Sequence, residues 1–383
     1  MPTIVVLIFV LSALHTGNLA GPLHAIKDKA QSVTGIGSVP GNPPPNVQEP
    51  TRKTTPFGEL LFDLWAPIKV PANAKSYTDQ RGEVWTNNGN THWTHGMGKG
   101  VLIIELDTRN PIGTNEIFNP DKLNWETMSS LLSVSHMNHF MYSQIHGYDY
   151  KFFNARHMEG HHDTWIKPHV LMDMLWFYRF VVFIDADAII QHLELPIEFL
   201  FNRWNITDRT SIAMPIDTEQ INEQSGEAMT RDQKGKLLLN SGVVVVQNLP
   251  HTFDMLTAWK DCTNGKRYPG CGHWKENWSH EQRAFAEYIR YDYNPDGNNI
   301  VEIPCNEAMG YPGLKGKVGV IADCKGEFIR HHTIDKNMAK TSTGDAVMQS
   351  MGELIQKNFA RNKEDLFIEE TQKLPRRSPN ALD

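Results

Sequence analysis

The stretch RFVVFIDADAII, residues 179–190, decides the fold. Phe180, Val181, Val182, Phe183 and Ile184 form an unbroken apolar run of β-branched and aromatic residues. Such a run suits a strand covered on both faces, as in a mostly parallel sheet held between helices. Asp185 and Asp187 follow at once, and Ala188-Ile189-Ile190 restores the apolar character. Ionised carboxylates beside a buried strand are expensive unless a cation or hydrogen bonds offset their lost hydration. The carboxyl end of a strand in an open α/β sheet is also where ligands bind. Two hard oxygen donors, with the small Ala186 between them, suit Mg²⁺ or Mn²⁺ that grips phosphate at the same time. Taken alone, a D-x-D also fits a strand end whose Asp residues cap a turn.

On both sides of this stretch, short apolar runs alternate with helical periodicity. Residues 100–106, GVLIIEL, read as a strand. Met128, Leu131, Leu132, Val134, Met137, Phe140, Met141 and Ile145 recur at three- and four-residue steps, which predicts a helix over 124–145 closed by Gly147. A short strand over 148–153 and a helix over 163–177, with Asp163 as its N-cap, lead into the central strand. Downstream, a helix over 196–201 and a strand over 211–216 precede LLLNSGVVVVQ, residues 237–247, a second hydrophobic strand broken by Asn240-Ser241-Gly242. Helices over 251–260 and 279–289, a late strand over 327–332 ending in His331 and His332, and an amphipathic helix over 344–359 complete the pattern. This alternation predicts an α/β fold, a Rossmann-like single domain whose mostly parallel central sheet is flanked by helices.

The chain has 383 residues, 40% hydrophobic and 21% charged, enough for a sizeable core. Its net charge of −7 and the lack of a dense Lys/Arg run before Arg376-Arg377 argue against nucleic-acid binding. Ile4 to Leu14 is an apolar segment shorter than the roughly 20 residues of a membrane-spanning helix, and it reads as a signal peptide ending near Ala20 or a short signal-anchor. That segment also carries any membrane association of the N-terminus. Residues 21–56 read as a Pro/Gly-rich stem, 57–365 as the folded domain and 366–383 as a disordered tail. Cys262, Cys271, Cys305 and Cys324 fit a lumenal or extracellular compartment; short loops favour pairing the first two and the last two. The sequons Asn205-Ile206-Thr207 and Asn277-Trp278-Ser279 are available in the same compartment.

Four polar interruptions of apolar segments fall in order: Asp185/Asp187, Asn240-Ser241-Gly242, Glu281-Gln282 and His331/His332. A W-x-K, Trp165-Ile166-Lys167, precedes the D-x-D strand. With these motifs the sequence resembles the nucleotide-sugar glycosyltransferases of the GT-A fold, and within them the fungal α-galactosyl/α-mannosyltransferase and plant xyloglucan xylosyltransferase family. The resemblance spans residues 101–336. It departs from the family's pattern in Phe180-Val181-Val182-Phe183, where Trp is common, in Glu281, where Asp is usual, and in the adjacency of His331 and His332.

The resemblance implies a GT-A-like domain that moves galactose, mannose or xylose from a nucleotide-diphosphate sugar to a glycan or glycoprotein acceptor, with retention. It implies a site in the secretory pathway, most naturally the Golgi lumen. Asp185, Asp187 and His331 or His332 would hold Mn²⁺, with Mg²⁺ the alternative. Alternation along a strand lets one of the two imidazoles face the metal, and the family's position for its late His favours His331. Lys167 would offset phosphate charge, and with Gly242 and the two acids it would bind the donor. Asn240 and Gln282 would hold the sugar, and Glu281 would lie near the anomeric carbon. Two other readings start from the same D-x-D: a lectin-like domain using the acids for Ca²⁺, and an aspartyl phosphohydrolase. His157, His161, His162 and His169 form a second imidazole-rich group that reads best as a polar pocket rim.

Overall fold

The computed structural model describes residues 55–87 and 91–369; the expected leader, the stem up to residue 54 and residues 370–383 of the tail lie outside the described residues. A six-stranded sheet carries the structure, built from β3 (Val101–Asp107), β4 (Asp149–Asn154), β5 (Phe180–Ile184), β7 (Ile212–Pro215), β8 (Val243–Gln247) and β9 (Ile300–Ile303) in the order β4-β3-β5-β8-β7-β9. The small strands β1 (Ser76–Thr78) and β2 (Val84–Thr86) form a hairpin-like pair outside it. β4, β3 and β5 run parallel, as do β7 and β9, while β8 is antiparallel to both its neighbours.

β5 lies at the centre with all five residues buried. Phe180, Val182 and Ile184 enter one core with Val101, Ile103, Val243 and Val245. Val181 and Phe183 enter the other with Leu102, Ile104, Val244 and Val246. A strand sends successive side chains to opposite faces, so a strand buried on both faces needs an apolar residue at every position. The first core is closed by α1 (Phe57–Trp65), α2 (Leu131–His146) and α4 (Ile197–Arg203); the second by α3 (Ile166–Leu175) and α5 (Pro250–Lys260). The described residues fall in one compact unit that begins at Thr55. Both expected disulfides are present, Cys262–Cys271 and Cys305–Cys324.

Several expected boundaries move, each for a local reason. The helix expected from 124 begins at Leu131, because the Ser130 hydroxyl accepts from Ser133 N and caps it. The preceding segment is tied instead into turns, with Asn115 Nδ2 donating to Asn124 O and Thr127 Oγ1. Asp163 does not cap a helix. A 3₁₀ turn over Asp163–Trp165 is capped by His162, and Asp163 accepts from Met158 N at 3.1 Å and lies 2.7 Å from His157 Nδ1. The strand expected over 237–247 is regular only from Val243, because the chain bends at Asn240-Ser241-Gly242, where Gly242 N donates to Asn240 Oδ1 at 2.8 Å. The helix expected over 279–289 starts as α6 (His280–Ala284) and continues through a π-turn to Tyr293. The C-terminal helix α7 (Met338–Arg361) is longer than the expected 344–359 at both ends.

The late strand is the correction that matters for function. β10 (Ile329–His331) is not part of the central sheet; it pairs antiparallel with β6 (Ala188–Ile190), with His331 opposite Ala188. The cause is the turn at Asp185–Asp187, where Ala188 N donates to Asp185 O at 2.9 Å and redirects the chain out of the sheet. The D-x-D therefore sits at a corner between two sheets.

Candidate active site

At that corner the chain builds a crevice of about 560 Å³, lined by the ends of β3 and β5, by Asn240-Ser241 before β8, by the start of α6, and by His331, Thr333 and Lys336. Asp185, Asp187 and His331 each turn one ligand-capable atom inward, and these atoms lie within 4.8 Å of one another. His331 Nε2 is 3.2 Å from Asp187 Oδ1 and 3.9 Å from Asp185 Oδ2, although 144 residues separate His331 from Asp187. Two carboxylates and an imidazole, opening onto a polar crevice, fit a divalent cation that accepts mixed oxygen and nitrogen ligation.

His331 reaches this place because Gly242 has no side chain. A Cβ at position 242 would stand 2.1 Å from His331 Cε1, well inside any tolerable contact. Gly242 also accepts from Asp185 N at 2.7 Å, so the same residue fixes the first acid and leaves room for the imidazole. His332 lies outside the group. Its backbone N donates to Asp187 O, but its Nε2 meets Ser342 Oγ at 2.9 Å and its ring packs on Tyr311. Burial pushes the His332 imidazolium down to about 4. The pleat turns its ring toward α7 and away from the three converging side chains.

Behind the acids lies a buried cation. Lys167 Nζ donates to Ser241 O at 3.1 Å and lies 3.3 Å from both Asp185 Oδ1 and Glu281 Oε1. The residues expected from sequence are linked through Ser241. Its hydroxyl donates to Glu281 Oε1 at 2.8 Å and its backbone N donates to Gln282 Oε1 at 2.9 Å, while Gln282 Nε2 donates to Asp217 Oδ2 at 2.9 Å. Asn240 lines the same crevice, its Oδ1 taken by Gly242 N. Asp217 is a buried acid that no motif singled out; it stands just past β7 and carries no periodic signal.

Charge is distributed unevenly between the two acids. Burial pushes the Asp185 carboxyl above its ordinary value, a trend that Lys167 opposes and the Asp187 charge reinforces. Burial acts the same way on Asp187, yet His331 and Lys336 overcome it and hold that carboxyl far below the carboxylate range. Burial disfavours the charged imidazolium of His331, but Asp187 more than compensates and raises it. Glu281 is likewise driven up by burial and brought below its ordinary value by Lys167. Lys336, missed by sequence reading, lies 3.0 Å from Asp187 Oδ2 with its side chain still 59% exposed. Arg109 also lines the crevice, paired with Asp107.

The turn is braced from behind by α2. Asn138 mimics a strand edge, donating through Nδ2 to Ile190 O and accepting at Oδ1 from Ile190 N, both at 2.9 Å. His139 Nε2 donates to Ala188 O at 2.7 Å, and its Nδ1 is 2.9 Å from Glu105 Oε1 on β3. Glu105 also accepts from Ser135 Oγ and Tyr150 OH and lies 2.9 Å from His136 Nδ1. Of the second imidazole group, His162 lines the crevice and stacks face to face on His280 with centroids 3.7 Å apart. His157 pairs with Asp163, and His161 Nε2 is 2.9 Å from Thr263 Oγ1.

A pair of acids with an imidazole at the carboxyl end of a central strand, beside one buried and one half-exposed lysine, suits a divalent cation together with a phosphorylated substrate. Residues 116–298 match the galactosyl transferase GMA12/MNN10 family. The chain is therefore an enzyme of the glycosyltransferase class, and the lectin-like and phosphohydrolase readings fall away. Its similarity to solved structures is remote. A glycosyltransferase that acts in glycosylation of the major capsid of PBCV-1 is 10% identical with TM-score 0.42, covering 64% of this chain and 98% of that one. Mouse xyloside xylosyltransferase 1 is 11% identical with TM-score 0.35 over 62% and 98%. The Streptococcus pneumoniae glycosyltransferase GlyE is 12% identical with TM-score 0.32 over 72% and 66%. No curated protein sequence matches the chain.

Proposed function

We propose that this glycosyltransferase moves galactose, mannose or xylose from a nucleotide-diphosphate sugar to a glycan acceptor, with retention, using Mn²⁺ held by Asp185, Asp187 and His331. The carrying observation is the convergence of those three side chains within 4.8 Å in the crevice. When bound, such an ion supplies Lewis-acid stabilisation of the departing diphosphate. Lys167 adds buried positive charge beneath the phosphates, and Lys336 and Arg109 add it at the rim. Gly242 serves the site through His331, for whose ring it leaves room, and not through contact with the donor. Asn240 and Gln282 hold sugar hydroxyls, and Glu281 presents a carboxylate, kept ionised by Lys167, toward the anomeric carbon.

The place of work is the secretory lumen, most naturally the Golgi. Two disulfides and the apolar leader support this. Any membrane association belongs to the N-terminal segment; among the described residues no helix is long and apolar enough to cross a membrane. The test is calorimetric titration with nucleoside diphosphate plus Mn²⁺. Asp187→Asn should lose roughly a hundredfold or more in affinity while its melting temperature stays near that of the wild type. Unchanged affinity would sink the proposal. A screen of nucleotide sugars with Mn²⁺ then names the donor.

A further inference from the structure

Resting on the function proposed above, we infer that Trp278 is the platform on which the acceptor's sugar ring stacks. The chain has ten tryptophans. Trp65, Trp85, Trp93, Trp165, Trp204 and Trp259 are buried in the cores. Three are exposed, and two of those have partners: Trp176 rests on Phe253 at 4.4 Å, and Trp125 lies beneath Lys340. Trp278 is 51% exposed and lines the catalytic crevice. Among the described residues, no hydrogen bond, ring contact or ion pair engages its indole. An amphipathic ring left wet inside an active-site crevice is what a carbohydrate needs, because the C–H face of a pyranose covers the indole while its hydroxyls reach polar neighbours.

The polar neighbours are at hand. Ser279, His280, Glu281 and Gln282 follow Trp278 and line the same wall, with Thr164 and His162 beside them. The platform is also held before any ligand arrives. His280 N donates to Asn277 O at 2.8 Å, and Asn277 Nδ2 donates to His273 O at 2.7 Å. His162 N donates to Lys275 O at 2.8 Å, and the His162 ring stacks on His280. A preformed surface avoids the cost of ordering on binding. The exposed cations of the crevice stand with the acids, Lys336 at 3.0 Å from Asp187 and Arg109 within its electrostatic reach, so the phosphates belong there and the uncharged substrate with Trp278.

The test uses the full mature chain with intact disulfides. Wild type, Trp278→Ala and Trp278→Phe are titrated with nucleoside diphosphate plus Mn²⁺, and separately with di- and tetrasaccharides of glucose and of mannose in the presence of that nucleotide. Trp278→Ala should weaken sugar binding, and raise the acceptor KM in transfer assays, by about tenfold or more, with nucleotide affinity unchanged and Trp278→Phe recovering most of the loss. Loss of nucleotide affinity in Trp278→Ala would mean that the indole stacks the base, which overturns the inference. Sugar binding equal to wild type, or wild type binding none of these sugars, overturns it as well. Failure of wild type to bind nucleotide with Mn²⁺ is the separate result that defeats the underlying functional reading.

Discussion

At the residue scale, the adjacent histidines separate the proposed metal ligand from a packing residue of identical chemistry. His331 faces Asp187 across 3.2 Å, whereas His332 meets Ser342 and Tyr311. His331→Ala should reduce Mn²⁺-dependent nucleotide affinity by roughly a hundredfold. His332→Ala should leave that affinity within a few-fold and instead lower stability by about 1–3 kcal/mol, through a lost buried hydrogen bond and the space left beside Tyr311. Titration calorimetry and urea unfolding of both variants read the two effects separately. Equal losses of affinity would show that the pleat does not sort them.

At the scale of the element, α2 explains why a helix in the protein interior keeps a polar face. Ser135, His136, Asn138 and His139 are all buried, and none contributes to a hydrophobic core. Their partners are Glu105 and the backbone of β6, so the helix acts as a template that holds the strand after the D-x-D. His139→Ala should weaken Mn²⁺ affinity by about tenfold, in line with the loss of groups that orient ligands from behind. His139→Gln should recover part of it, because an amide N–H can still donate to Ala188 O. If His139→Ala only lowers the melting temperature and keeps the affinity, the contact is structural alone.

For the molecule as a whole, the buried His146 imidazole is expected to weaken the fold in acid. Desolvation pushes the His146 imidazolium down to about 3; the Leu193 carbonyl it bonds at 2.8 Å opposes this, Lys69 reinforces it and Glu194 opposes it. An unfolded chain protonates the same ring near 6.5. Below that pH the unfolded state binds one more proton than the folded one, so stability falls as pH drops from about 6.5 toward 3 and is unaffected above. Glu105 adds to the same trend, since its carboxyl is held far below the ordinary range, against burial, by His139 and His136. Urea midpoints measured between pH 7 and 4 should decline with acid, and His146→Gln should flatten the decline. A profile that stays unchanged in the variant would assign the acid limit to other groups.

How much of this was legible beforehand follows from the range of each interaction. Burial of β5 on both faces could be read from Phe180 to Ile184 because strand periodicity is local, whereas short loops only favoured the disulfide pairs, and the structure decided among the three possible pairings. The acids, Lys167, Asn240, Gly242, Glu281, Gln282 and His331 carried sequence signals because each interrupts or flanks an apolar element. Asp217, Lys336, Glu105 and His139 carried none, since a polar residue on a helix or past a strand looks the same whether it meets solvent or a buried partner. The chain's own pattern determined an α/β fold with a D-x-D at a strand end. Only the tertiary structure decided that β10 leaves the central sheet to pair with β6, that Gly242 makes room for His331, and that Trp278 opens into the crevice. Those outcomes depend on contacts between residues far apart in the chain, where no local periodicity acts.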